Sequence, residues 1–373
     1  MVYLDYNATT PVDKRVLRAM QPFFSDVYAN PASDHASGVL AKRAVEESRE
    51  RVANLIGAKS NEIIFTSGAT EANNLALIGL ALKHQGKKNH IITSRIEHPA
   101  ILNPAKHLES MGFEITYISV DQYGVINIDE LRKSITDQTF LVSIMYANNE
   151  TGSIQPIKEI GDITRKQKIF FHTDAAQAVG HLSIKVDESN IDLMSMSAHK
   201  FYGPKGIGAL FVRSRLPRVN LSSIVFGGGQ ERGFRSGTLN VPGIVGMGEA
   251  CWIARKEMKR THERSKKIIE KTLIKLKAKK ETIKLNGHSV NRLPHTLNIE
   301  IPKVDNKWLS LKLKDFCFST GSACSAFHDE PSHVLLAMGL NKDRIANCIR
   351  IGIGKTTTAQ EVDLFVQELK RYI

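Results

Sequence analysis

A lysine, Lys200, follows the apolar run at residues 191–197, and an aspartate, Asp174, closes a similar run at 169–173, 26 residues earlier. Both read as side chains presented at the tips of buried strands. An amine in that place can form an imine with an aldehyde. A carboxylate there can keep a pyridine nitrogen protonated, so that a ring held between the two stores the electrons of a substrate carbanion. Taken singly, each residue is an ordinary loop charge, and only further residues with matching roles give the pair chemical meaning.

Such residues follow other apolar runs. Ligands of an open parallel sheet collect beyond the carboxyl ends of its strands, where loops and helix N-termini converge. The segment Thr66-Ser-Gly-Ala-Thr70 ends one run and opens a helical pattern, so its small residues and free backbone N–H groups can cradle a phosphate. His98 follows the second run, Asn148 the fourth, Asp174 and Gln177 the fifth, and Ser197, His199 and Lys200 the sixth. Jointly they supply a phosphate cradle (Thr70, Ser197, His199), a flat ring partner (His98), a pyridinium counter-ion (Asp174), an amide donor for a phenolic oxygen (Gln177) and an amine. That set matches pyridoxal 5′-phosphate (PLP).

The elements that position these residues are legible as alternating patterns. Apolar runs at 62–66, 90–94, 114–119, 140–146, 169–173, 191–195 and 207–212 read as strands, separated mostly by amphipathic stretches such as 100–111 and 156–167. This is the signature of βαβ units in a mainly parallel seven-stranded sheet. The turn 201–206 is too short for a parallel crossover, so the run at 207–212 is expected to be antiparallel. Beyond the glycine-rich stretch 227–233 and a helix starting near Pro242, a basic helical stretch at 255–280 leads away from the sheet. Strand-like runs at 295–301 and 348–353, with helical patterns at 307–313, 334–339 and 359–372, predict a smaller α+β domain. The expected division is a large domain at 1–258 and a small one at 259–373, with roughly the first 18 residues free to pack on the small domain.

Composition adds limits. The 373 residues are 42% hydrophobic and 24% charged, which is ordinary globular usage. A net charge of +13, from 51 basic and 38 acidic residues, admits a nucleic-acid partner, an acidic protein partner or a solvated surface. Much of it sits at 255–280, which contains no aromatic residue, so a solvated helix face is favoured over direct nucleic-acid binding. The four cysteines show no CxxC spacing, the chain opens without the pattern of a signal peptide, and no apolar run approaches the ~18 residues of a membrane span. The expectation is a cytoplasmic protein with reduced thiols and no resident metal.

Eight segments, from Leu4-Asp-Tyr-Asn-Ala-Thr-Thr-Pro11 through Thr66-Ser-Gly-Ala-Thr-Glu-Ala-Asn73, Glu97-His-Pro-Ala100, Asn148-Asn-Glu-Thr-Gly152, His172-Thr-Asp-Ala-Ala-Gln177, Ser197-Ala-His-Lys-Phe-Tyr-Gly-Pro-Lys-Gly206, Arg235-Ser-Gly-Thr238 and Ser319-Thr-Gly-Ser-Ala-Cys324, carry a resemblance. Over nearly its whole length the chain resembles class V aminotransferase-fold enzymes, and among them the cysteine desulfurases of the NifS/IscS type. The resemblance implies an aspartate-aminotransferase-like large domain in which Lys200 carries the cofactor. It implies that Thr70, Ser197 and His199 hold the phosphate with Ala69 also binding the cofactor, that Asn148 and Gln177 touch the ring's polar edge, and that His98 stacks on the ring and carries protons. Arg350, with Asn30 and Asn148, would hold the carboxylate of L-cysteine. A homodimer is implied, with Thr238 reaching the partner's phosphate.

Cys324 selects among PLP reactions. Its surroundings at 319–332 are small, polar and glycine-containing, unlike the buried settings expected for Cys251, Cys317 and Cys348. A thiolate there could take sulfur from cysteine as a persulfide, leaving alanine, and pass it to an acceptor protein. The acceptor could serve iron-sulfur cluster assembly or thio-modification of tRNA, a cofactor or DNA. With a scaffold partner, Cys324 could also ligate a cluster transiently. Leu239, Gly352 and Lys355 depart from the common pattern of the family. Two rivals stand beside this reading: a selenocysteine lyase or another β-eliminating PLP enzyme, and a non-enzymatic basic binding module.

Overall fold

The computed structural model describes residues 1–320 and 330–373. A two-residue strand, β1 (Val2–Tyr3), opens the chain. It is followed by β2 (Ile63–Thr66), β3 (His90–Ser94), β4 (Glu114–Ile118), β5 (Thr139–Ser143), β6 (Phe170–Asp174), β7 (Leu193–Ser197) and β8 (Gly208–Val212), which form one sheet in the order β2-β8-β7-β6-β5-β3-β4. β8 pairs antiparallel with both β2 and β7, and every other pairing is parallel. The reversal follows from the short turn after β7, which leaves no room for a crossover. The expected runs fall on these strands within a few residues. The run at 140–146 stops pairing at Ser143 and continues as a loop toward the rim.

Central strands are buried on both faces, as a sheet covered on each side requires. Ile63, Phe65, Val142, Phe171, Met194 and Phe211 face the helices Ala36–Ile56 and Val241–Lys279. Ile64, Ile91, Leu141, Leu193 and Leu210 face the helices Ala69–His84 and Pro99–Ser110. Alternate residues of one strand thus seal alternate faces.

The smaller domain is built on β9 (Lys284–Asn286), β10 (Thr296–Glu300), β11 (Phe316–Cys317) and β12 (Cys348–Gly352). β12, β10 and β9 form an antiparallel sheet, and β1 pairs in parallel with β11. Leu297, Ile299, Ile349, Ile351 and Phe365 form its core, joined by Leu4 from the N-terminal segment. The basic stretch and the helix near Pro242 prove to be one 39-residue helix, Val241–Lys279, roughly 58 Å long at 1.5 Å per residue. It places Ile244, Met247 and Cys251 in the first core and Ile269 and Leu276 in the second. Cys251 and Cys348 are buried as expected, whereas Cys317 is only partly buried.

One buried ion pair anchors the end of β2 that leads into the site. The Glu231 carboxylate accepts hydrogen bonds from the Arg49 guanidinium at 2.7 and 2.8 Å and from the Phe65 backbone N–H at 2.7 Å. Both side chains are under 10% exposed. Removing one charge of such a pair strands the other in low dielectric. Glu231→Gln is expected to lower unfolding stability by about 3 kcal/mol in urea titration, and a loss below ~1 kcal/mol would contradict the anchoring role.

Candidate active site

Six strands run in one direction, so β2, β3, β5, β6 and β7 deliver their following residues to a common rim. A cavity of about 520 Å³ lies there, lined among others by Ala69, Thr70, His98, Asp174, Gln177, Ser197, His199, Lys200 and Arg350. Asp174 ends β6 and is 7% exposed. Its oxygens accept from the Asn73 amide at 2.7 Å and the Ala176 N–H at 2.9 Å, both neutral donors. Neither donor is a cation, so the carboxylate is placed to pair with a cationic ring nitrogen. Lys200 closes the turn after β7, and its Nζ donates to the backbone carbonyls of Asn7 (2.6 Å) and Ala8 (2.9 Å). Gln177 Nε2 donates to the same Asn7 carbonyl at 3.0 Å.

The helix Ala69–His84 begins behind Gly68, with no side chain capping its first turn, so its leading N–H groups are open to an anion. This loop rests directly on β8: a Cβ at Gly208 would lie 2.6 Å from Gly68 Cα and 2.5 Å from the Met196 carbonyl oxygen. Glu71, in the first turn, accepts from Ser67 N–H at 2.8 Å and is ion-paired with Arg235 at 2.7 Å, which offsets its repulsion of an anion. His199 shares a 3.1 Å hydrogen bond with the Thr9 hydroxyl. Burial, with Lys200 and Lys205 nearby, pushes its pKa down to about 4. Open amides, hydroxyls, a buried carboxylate and an amine on one wall fit a flat, phosphorylated aldehyde.

His98 caps the helix Pro99–Ser110 by accepting the Ala100 N–H at its Nδ1, 3.1 Å away. The cap occupies the Nδ1 lone pair, so the neutral ring carries its proton on Nε2. Burial lowers the imidazole's pKa, Lys200 and His333 lower it further, and Asp174 opposes them. His98 is therefore held as a neutral donor.

Arg350, on β12, reaches the cavity from the smaller domain and is 3% exposed. It donates to Asp5 at 2.7 Å and to the Asn149 carbonyl at 3.1 Å, while its Nε is buried without a partner among the described residues. That arrangement leaves donor capacity for a ligand carboxylate.

Three expected residues stand elsewhere. Asn148 is fully buried behind the rim, where its side-chain oxygen accepts from the N–H groups of Glu150 (2.9 Å) and Thr151 (3.0 Å) and its amide donates to the Ile96 carbonyl at 3.2 Å. It organises the turn that brings Asn149 to the cavity. Asn30 is exposed outside the cavity lining and accepts from Ala32 N–H at 3.0 Å. Thr238 is exposed and lies outside the cavity of its own chain. Cys324 falls outside the described residues. Asn7, Asp5, Asn73 and Asn149 were not singled out from sequence. All four lie inside quoted motifs, but short polar residues in irregular segments carry no periodicity that reveals their contacts.

The model of the family described as Aminotransferase class-V matches residues 2–365. The chain belongs to that family. It is 48% identical over 367 residues to the cysteine desulfurase IscS of Anaeromyxobacter sp., covering 98% of this chain and 91% of that relative. A solved NifS-like protein superimposes with a TM-score of 0.93 at 38% identity, covering 99% of this chain and 98% of that one. A structure described as SspA in complex with cysteine matches with a TM-score of 0.84 at 40% identity, covering 95% and 99% of the two chains. The family resemblance and the two-domain α/β fold are thus borne out.

Glu97, beside His98, is fully buried. Its Oε1 accepts from Ser94 Oγ (2.6 Å) and Met145 N–H (2.9 Å), while Oε2 lacks a partner among the described residues. Burial first, and Asp174 with it, raises its pKa from 4.5 to about 8, against the pull of those two donors. Between pH 4.5 and 8 the native state therefore holds a proton that the unfolded chain has lost, and stability falls as pH rises through that window. Glu97→Gln copies the protonated form. It is expected to match the parent at pH 4.5 and exceed it at pH 8 by on the order of 3 kcal/mol in denaturant titrations. Parallel pH profiles of the two proteins would contradict this.

Proposed function

We propose that this chain is a PLP-dependent cysteine desulfurase that converts L-cysteine to L-alanine and takes the sulfur onto Cys324 as a persulfide. The observation that carries the reading is the meeting of Lys200, Asp174 and Arg350 in one cavity. An amino acid bound there has its carboxylate on the guanidinium and its α-carbon near the amine. PLP, when bound, supplies an electron sink for bond cleavage at the substrate's α-carbon and β-carbon.

The chain's own groups do the rest. Thr70, Ser197, His199 and the open amides after Gly68 would hold the phosphate, with Ala69 beside them. Asp174 would hold a proton on the ring nitrogen, and the Gln177 amide and His98 would flank the ring. Lys200 Nζ would hold the cofactor's aldehyde end, and on the cavity wall it is placed to take the substrate's α-proton. The Cys324 thiolate attacks the substrate sulfur: an S–S bond forms as the Cβ–S bond breaks, the carbon side keeps that electron pair, and a proton completes alanine. L-cysteine plus the Cys324 thiol gives L-alanine plus the Cys324 persulfide, without an external oxidant.

The reading includes a homodimer in which Thr238 touches the partner's phosphate. Its support is that the exposed Thr238 follows Arg235, which is tied to Glu71 at the cavity mouth, and that Phe24, Tyr28, Val39, Leu40 and Phe226 are solvent-exposed in the single chain. It also includes domains at 1–258 and 259–373, with the β1–β11 pairing in favour of joining the first residues to the smaller one. A cytoplasmic location suits a thiolate that must stay reduced. Asn30 and Asn148 remain proposed to act on the substrate side, Asn148 through the turn it organises. The sulfur passes to an acceptor protein for iron-sulfur cluster assembly or thio-modification.

The experiment is alanine release from L-cysteine with a reductant, alongside the visible absorption of the purified protein. Cys324→Ala is expected to lose at least a hundredfold in rate while keeping the absorption band, and Lys200→Ala to lose both. Undiminished turnover by Cys324→Ala would refute the persulfide step and favour a lyase.

A further inference from the structure

Lys200 and Arg350 hang from different sheets, yet an α-amino acid separates the atoms they engage by a single carbon. Such a site works only if the two side chains are held within about 0.5 Å of the productive spacing. Two connectors join them. One is the N-terminal segment, whose Asp5 holds Arg350 and whose Asn7 and Ala8 carbonyls hold the Lys200 amine. The other is the turn at 354–357, just after β12.

In that turn the Lys355 N–H donates to the Tyr202 hydroxyl at 2.6 Å, two residues beyond Lys200. The Lys355 ammonium lies 4.3 Å from the centre of the Tyr202 ring and is ion-paired with Asp13. Asp13 N–H in turn donates to the Tyr202 carbonyl at 3.0 Å, and Tyr202 N–H donates to Thr10 Oγ1 at 2.8 Å. Tyr202 adopts φ +70°, a left-handed backbone that costs a bulky residue roughly 1–2 kcal/mol, and these contacts hold it there. On its far side the turn is gripped by Arg264, which donates to the carbonyls of Lys355 (3.1 Å) and Thr357. A Cβ at Gly354 would collide with the Tyr6 ring, so turn and N-terminal segment are in direct contact.

We propose that Lys355 is a positioning residue for the reaction: through Tyr202 and Asp13 it locks the turn that follows Arg350 onto the backbone that carries Lys200. The inference rests on the desulfurase reading and adds what sets the spacing of its two substrate-holding groups. The contacts give the residue a function: its stem spans the gap, and its charge serves the ring and the carboxylate together.

The test uses the full-length protein with PLP, comparing Lys355→Met, which keeps the stem and removes the charge, with Lys355→Arg and Tyr202→Phe. Three quantities are measured: kcat and KM for L-cysteine, hydrogen exchange in peptides covering 198–203 and 349–356, and the thermal midpoint. Lys355→Met is expected to lower kcat/KM at least tenfold with a raised KM and to speed exchange in both peptides. Lys355→Arg restores both to within about threefold, and Tyr202→Phe shifts them in the same direction as Lys355→Met. The proposal is overturned if Lys355→Met keeps kcat/KM within about twofold of the parent, if the Arg variant is equally impaired, or if activity falls without faster exchange in both peptides. A parent protein that releases no alanine refutes the desulfurase reading instead. Exchange then decides alone: faster exchange in both peptides of Lys355→Met sustains the lock, and unchanged exchange removes it.

Discussion

The common direction of six strands is the constraint from which the site follows. Because β2, β3, β5, β6 and β7 all end on one side, each releases its first polar residue toward the same rim, and five separate loops contribute to one cavity without any of them being long. β8, the reversed strand, contributes differently. It lies bare enough at Gly208 for the loop at Gly68 to settle on its backbone, which sets the height of the helix N-terminus above the sheet. The direction of the chain thus decides which residues meet, and the absence of one side chain decides how closely.

The charge pattern around the cavity is equally ordered. Burial keeps His98, His199 and Glu97 uncharged near neutral pH, while the Asp174 carboxylate, the Lys200 amine and the Arg350 guanidinium line the same cavity. A protonated ring nitrogen is drawn to the first and anionic groups to the others. The neutral groups supply donors and acceptors without blurring that polarity. Their state comes from position more than from residue type, since the same imidazoles on the surface would titrate near neutrality.

Much of this was readable in the chain because the central strands are apolar runs followed by abrupt polarity. Lys200 and Asp174 stand out for that reason, and the antiparallel β8 follows from the brevity of the turn before it. What stayed hidden has physical causes. β1, β9 and β11 are two or three residues long and have no period to detect. Asp5, Asn7 and Thr10 act through long-range hydrogen bonds of an irregular segment, including backbone carbonyls that no side-chain pattern reports. Asn148 reads as a ligand-facing amide because it follows a strand, yet its oxygen is spent on the N–H groups of Glu150 and Thr151, and the residue beside it lines the cavity. The basic stretch at 255–280 looked like the start of a new unit because its charge rises there, while its helical spacing never breaks.

That unbroken helix bears on how the molecule comes apart. Val241–Lys279 buries residues in both hydrophobic centres, so a cut near its middle would leave each lobe with a frayed, half-clothed end and exposed leucines and isoleucines. The lobes are distinct in architecture but not excisable. Heat or denaturant that melts one withdraws a wall of the other, because both cores pack on the same spine.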